Sequence, residues 1–99
     1  MSNSKYIAGR TFEYKVRDDY RGRGWYVFRM AGSHSVADLI AVKREQTQYI
    51  QCKHNDKPID REETAKINAF MLRYMDDNDM FVIAKWNKTR RCISWEYCK

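Results

Sequence analysis

The stretch Val36-Ala37-Asp38-Leu39-Ile40-Ala41-Val42, followed after a short polar turn by Tyr49-Ile50-Gln51-Cys52-Lys53, decides how this chain folds. It sets a carboxylate in one apolar strand and an amide and an ammonium in the next. Alternation along a strand puts Gln51 and Lys53 on one face and Ile50 and Cys52 on the other, and an antiparallel hairpin brings the polar face beside Asp38. An acid, an amide oxygen and a lysine then converge on one point. A hard divalent cation takes oxygen ligands, and hydrolysis of a phosphodiester needs both an activated water and relief of the charge that develops on phosphate. A carboxylate buried without a partner is costly, and a cation relieves that cost; the alternative is a half-exposed strand from which Asp38 points to solvent.

Upstream, Phe12, Val16 and Tyr20 recur every four residues and mark the inner face of an amphipathic helix from about Tyr6 to Tyr20, with Glu13 beside the stripe. Arg21-Gly22-Arg23-Gly24 ends that helix, because glycine accepts the left-handed backbone that closes helices. Trp25 to Met30 reads as a strand, Ala31 to Ser35 as a small-residue loop, and Val36 to Lys43 and Tyr49 to His54 as the next two strands. Downstream, Asp60 and Glu63 have the spacing of a helix cap and capping box, and the helix they open presents Ile67, Phe70, Met71 and Tyr74 on one side. It ends near Asp76 to Asp79, where carboxylates oppose the helix dipole. Met80 to Trp86 and Cys92 to Tyr97 are strands joined by a hairpin around Asn87-Lys88-Thr89. The order α-β-β-β-α-β-β predicts an antiparallel meander of three strands, then a helical crossover that makes the third and fourth strands parallel.

The 99 residues, 43% of them hydrophobic and including three Trp, seven Tyr and four Phe, suffice for one compact core but not two, so residues 1–99 are expected to form one domain. No apolar run approaches the length of a membrane span, and Met1 to Tyr6 lacks the apolar centre of a signal peptide, so the expected setting is cytoplasmic with no membrane partner. Cys52, Cys92 and Cys98 form no CxxC and leave one thiol over in any pairing, which suits a reducing compartment and makes Cys52 a buried strand residue. Zinc is disfavoured, since His34, His54 and the cysteines have no paired ligand spacing. Nineteen basic against thirteen acidic residues, a net charge of +6, favours a polyanionic partner.

Four segments carry a resemblance. Gly9-Arg10-Thr11-Phe12-Glu13, Gly24-Trp25-Tyr26-Val27-Phe28-Arg29 leading into Ala31-Gly32-Ser33, Asp38 in its apolar strand, and Gln51-Cys52-Lys53 recur in this order and at similar spacing in the PD-(D/E)XK nucleases. Within them the chain most resembles the archaeal and viral Holliday-junction resolvases, over roughly Gly9 to Trp95. One departure stands out: Gln51 occupies the position where that family usually has Glu, although Mrr-like restriction nucleases carry a Gln-x-Lys version.

The resemblance implies an α/β, restriction-endonuclease-like αβββαβ core with a mixed sheet and an extra C-terminal strand. It implies a site in which Asp38, the side-chain oxygen of Gln51 and the backbone carbonyl of Cys52 bind Mg²⁺ or Mn²⁺. Lys53 would position or help deprotonate the attacking water and offset phosphate charge, and Glu13 would hold a water of the ion's shell or a second ion. Gln in place of Glu removes one negative charge from the cage, which weakens the hold on metal and shifts the electrostatic burden to Glu13 and Asp38. For DNA contact the family pattern points to Arg10, Arg29, Ser33 and His34 near the site; Arg17 and Arg21, which have a solvated surface as their alternative, and Lys57 are further candidate phosphate contacts. The role of His34 stays open, because a histidine in a Gly-Ser loop is often simply exposed.

Lys15, Arg17, Arg21 and Arg23 mark the first helix and its exit, and Lys85, Lys88, Arg90 and Arg91 the last hairpin. The hairpin cations have two readings, a solvated edge that blocks sheet-to-sheet association or contacts to DNA. In related resolvases the second helix helps form a dimer, so a partly exposed Met71, Tyr74 and Met75 patch is expected. The implied activity is metal-dependent, structure-selective cleavage of four-way DNA junctions by a homodimer, which presents two sites to a two-fold symmetric substrate. A chain this short is expected to carry no separate sequence-reading domain, leaving DNA shape and backbone charge to provide recognition. The rivals are an Mrr-like nuclease that cuts or nicks ordinary duplex, and a junction-binding protein whose Gln51 site no longer supports catalysis.

Overall fold

A computed structural model describes residues 4–30 and 36–98. Helix α1 (Ser4–Gly22) is followed by strands β1 (Tyr26–Arg29), β2 (Leu39–Lys43) and β3 (Gln46–Lys53), helix α2 (Arg61–Tyr74), and strands β4 (Asp79–Asn87) and β5 (Cys92–Cys98). The five strands lie in chain order in one sheet; β1, β2 and β3 form an antiparallel meander, β3 and β4 are parallel, and β5 returns antiparallel to β4. This is the mixed sheet expected from the element order, with the fifth strand beyond the αβββαβ core.

The two helices serve opposite faces. Phe12, Val16 and Tyr20 of α1 are buried against Val27, Leu39, Ala41, Ile50, Val82 and Ala84. The alternate residues of β4, Phe81 and Ile83, pack with Ile67 of α2 on the other side. A central strand covered on both faces has no polar side to offer, and β4 is accordingly buried from Phe81 to Lys85. Each fully buried side chain such as Phe81 or Leu39 stabilises the fold by about 1.5–3 kcal/mol.

Element ends show where local chemistry acts. α1 closes with a Schellman motif: Gly24, at φ 91°, donates its N–H to the Arg21 carbonyl, and the Trp25 N–H reaches the Tyr20 carbonyl at 3.1 Å. The accompanying apolar contact is the edge-on packing of Tyr20 and Trp25, centroids 5.7 Å apart. Gly24, rather than Gly22, thus supplies the left-handed residue. α2 starts at Asp60, whose Oδ1 accepts the Glu63 N–H at 2.8 Å. Its end at Tyr74 comes before the acidic run, and the carboxylates have a structural use as turn formers. Asp76 Oδ1 accepts the Asn78 N–H at 3.0 Å, and Asp79 Oδ2 accepts the Asp76 N–H at 3.1 Å. β3 begins three residues earlier than its apolar run suggests, because Gln46, Thr47 and Gln48 pair with Lys43, Val42 and Ala41 around a two-residue turn.

Candidate active site

The site forms where β2 begins and β3 ends. Asp38 lies one residue ahead of β2, not within it, yet its backbone is held on both sides: its N–H donates to Ile50 O at 2.7 Å, and its carbonyl accepts the Met30 N–H at 2.9 Å. The pairing of Leu39 with Ile50 sets Asp38 across from Gln51. From there Asp38 Oδ2 accepts the Cys52 N–H at 2.8 Å, so the side chain is tied to the strand that carries the other candidate ligands. Burial pushes the Asp38 carboxyl from 3.8 up to about 6; the Cys52 N–H opposes the rise, Glu13 adds to it and Arg29 opposes it. The carboxylate is therefore poorly compensated by the protein alone.

Gln51 presents a second oxygen in the same condition. Its Oε1 is buried and has no hydrogen-bond partner among the described residues. An unsatisfied buried acceptor costs about 1–3 kcal/mol, and such an atom calls for an explanation. A cation bound by Asp38 and Gln51 Oε1 would relieve both defects, so the donor set fits the hard divalent ion implied by the sequence. Among the described residues no three His, Cys, Asp or Glu side chains are grouped as a metal cage. An ion here would depend on the Gln51 amide and a backbone carbonyl as well as on carboxylates. Cys52 itself turns to the α1 side of the sheet, where burial pushes its thiol up and leaves it protonated.

Glu13, on α1, is held by Arg29 of β1 through Nε to Oε1 at 3.0 Å. Lys53 is drawn to α2, where its Nζ lies 3.1 and 3.3 Å from the two carboxylate oxygens of Glu63. Glu63 was legible in sequence only as a capping residue. Its backbone N–H does meet Asp60, but its carboxylate goes to Lys53 instead of back to the cap, a choice that spacing along the chain does not reveal.

The other sequence candidates distribute unevenly. Arg10 lies one turn before Glu13 on α1 with its Nε buried. Arg17 pairs with Asp18 at 2.9 Å and stacks on Tyr14, and Arg21 donates to the Val27 carbonyl at 3.3 Å. Lys57 is exposed in the turn after β3, where its backbone N–H meets Asn55 Oδ1. Ser33 and His34 lie outside the described residues.

The restriction endonuclease family Mrr_cat matches residues 5–90 of the chain. No curated protein matches it. Among solved structures it is similar to Hjc of Archaeoglobus fulgidus, a Holliday junction resolvase from an archaeal hyperthermophile, with 17% identity over 90% of this chain and 70% of that one, and a TM-score of 0.68. At that identity the likeness is one of fold.

Proposed function

The chain belongs to the Mrr_cat restriction endonuclease family, and from that membership we propose that it is a divalent-metal-dependent DNA endonuclease that nicks four-way junctions as a homodimer. The observation that carries the metal-dependent part is the pair of ill-compensated oxygen donors that face each other where β2 begins and β3 ends, the half-buried Asp38 with its raised carboxyl and Gln51 Oε1, buried without a hydrogen-bond partner among the described residues. The junction part rests on the folding likeness to a resolvase.

In this reading Asp38, Gln51 Oε1 and the Cys52 carbonyl hold Mg²⁺ or Mn²⁺, which when bound supplies positive charge at the scissile phosphate. Asp38 is kept in place by its backbone bonds to Met30, just past β1, and to Ile50 of β3, so little reorganisation is needed when it becomes ionised. Glu13 is oriented by Arg29 and accepts a hydrogen bond from a water near the reacting phosphorus. Lys53 transfers its ammonium from Glu63 to a phosphate oxygen and balances the charge that accumulates there. Arg10, Arg17, Arg21, Arg29, Ser33, His34 and Lys57 are the proposed backbone contacts, with Arg29 shared between Glu13 and phosphate.

Support for a second copy comes from exposed apolar surface. Leu72 and Tyr74 on α2 are 89% and 61% exposed, and Tyr26 and Phe28 on the edge strand β1 are 71% and 44% exposed. An open groove of about 850 Å³ beside α2 is lined by Met30, Val36, Tyr49, Phe70 and Tyr74 together with the basic Lys66 and Arg73. Exposed apolar surface rimmed by polar residues marks interaction sites. A two-fold dimer would give two Asp38 sites for the two equivalent strands of a junction.

The Gln51-x-Lys53 pattern and the family match favour a second reading, cleavage of ordinary duplex. One assay separates the possibilities. The purified chain is incubated with Mg²⁺ or Mn²⁺ and an immobile four-way junction, each strand labelled in turn, beside a linear duplex of the same sequence. Paired nicks at symmetry-related positions on two opposing strands, with little cutting of duplex, are expected. Equal cutting of duplex would favour the second reading, and tight binding without product a non-catalytic junction binder.

A further inference from the structure

The parallel register of β3 and β4 has a consequence at the last hairpin. Lys53 pairs with Lys85, so the two strands point the same way and the β4–β5 connection, residues 88–91, emerges at the end of the sheet where the candidate site lies. Lys88 directly follows Asn87, the last residue of β4, and so stands just past the strand end, beyond Lys85 and its partner Lys53.

The charge there is uncompensated. From Ala84 to Trp95 the chain carries Lys85, Lys88, Arg90 and Arg91 and no acidic residue. Lys85 is buried and pairs with Glu96 at 3.4 Å, but Lys88, Arg90 and Arg91 are exposed and make no ion pair among the described residues. Three cations elsewhere are neutralised locally, Arg23 by Asp19, Arg29 by Glu13 and Lys53 by Glu63. The hairpin is also built, not loose: Asn87 Oδ1 accepts the Arg90 N–H at 2.9 Å, and Arg91 takes φ 53° to close the turn. Lys15 of α1, whose ammonium lies 5.5 Å from the Trp86 ring centroid, extends the positive surface toward the helix that carries Arg10 and Glu13. Protection of the sheet edge is a poor account of these cations. The edge is β5 itself, and Cys92–Cys98 holds no Lys or Arg, whereas the positive charge is confined to the turn at one end.

We infer that the 88–91 hairpin is a DNA-backbone grip that holds the duplex beside the scissile phosphate, a surface that rests on the nuclease reading of the Asp38 site and adds to it. Three fixed, unpaired cations release condensed counterions when they meet phosphates, and the two arginines can bind phosphate oxygens bidentately. Its role is in binding and register, with the chemistry left to the Asp38 end.

The test compares K88Q/R90Q/R91Q with the charge-preserving R90K/R91K and with R44Q. Arg44 lies in the β2–β3 turn at the opposite end of the sheet. Anisotropy of a labelled four-way junction and of a linear duplex is measured in chelator between 50 and 200 mM salt. The log-log slope of the triple variant should become shallower by about two to three units, while R44Q and R90K/R91K stay near the parent. Single-turnover cleavage at saturating protein should remain within about threefold of the parent, since the hairpin does not touch the reacting atoms. An unchanged slope in the triple variant, or an equal loss in R44Q, overturns the grip; if D38A abolishes cleavage in the same preparations, the nuclease reading survives it. A parent chain that neither binds nor cuts DNA overturns both.

Discussion

The two ends of the sheet are built to different standards of internal satisfaction. At the end where α1 closes, polar groups meet partners inside the chain. The buried Tyr20 hydroxyl donates to Gln48 Oε1 at 2.6 Å, Lys43 Nζ meets the Arg23 carbonyl at 3.0 Å, and the Schellman motif uses the last carbonyls of the helix. Tyr20 packs edge-on against both Trp25 and Trp95, and Arg23 lies over the Tyr20 and Trp95 rings. At the other end Asp38 is half-buried with its carboxyl raised, Gln51 Oε1 has no hydrogen-bond partner among the described residues, and Lys53 is drawn aside to Glu63. Natural folds depart from local consistency at functional sites and compensate elsewhere. One end supplies stability, and the other carries the candidate site.

The sharpest way to break this contrast is to delete one anchor from each end. Asp38→Ala should lower the single-turnover cleavage rate by about a thousandfold or more while leaving junction binding within a few fold and the denaturation midpoint no lower than the parent's. Tyr20→Ala should do the reverse, costing about 3–5 kcal/mol of stability in urea unfolding through the cavity it leaves, with the chemistry of the remaining folded molecules intact. Retained cleavage in Asp38→Ala would remove Asp38 from the site.

A smaller effect sharpens the account of Gln51. Gln51→Glu restores a charged ligand and should reduce the Mn²⁺ concentration for half-maximal cleavage by about tenfold, and Gln51→Ala should raise it by a similar factor. Metal titrations that coincide for all three proteins would mean that the amide oxygen is not a ligand.

The pH dependence of stability tests the same site without catalysis. Folding raises the Asp38 carboxyl from 3.8 to about 6, so the native state favours its protonated form. The stabilising contribution is full below pH 3.8 and is lost as the pH rises through 6. In chelator, the part of the urea midpoint that depends on Asp38 should therefore fall between about pH 4 and 6, and Asp38→Asn should remove that part. Added Mn²⁺ should recover stability at pH 7 in the parent and not in Asp38→Asn, because an ion bound only by the native state stabilises it.

The smallest effect belongs to the satisfied end. Tyr20→Phe deletes only the hydroxyl that meets Gln48, and should lower stability by about 1 kcal/mol with no change in metal requirement. A loss as large as that of Tyr20→Ala would mean that the hydroxyl, and not the ring packing, anchors this end.

Sequence periodicity was enough to identify the helix stripe Phe12, Val16 and Tyr20, the five strands in their order, the Asp60 cap, and the adjacency of Asp38 to Gln51. These follow from repeats of 3.6 and 2 residues and from the connection lengths between elements, which are properties of neighbouring residues. The tertiary structure alone decided that Asp38 lies at the threshold of β2 with its carboxyl raised, that Gln51 Oε1 has no hydrogen-bond partner among the described residues, and that Glu63 turns from its cap to Lys53. It also decided that the basic 88–91 turn lies at the same end of the sheet as the candidate site, through the parallel register of β3 and β4. Burial, register and the choice between two hydrogen-bond partners depend on residues far apart in the chain, so the local pattern that dictates an element does not encode the environment in which its side chains come to rest.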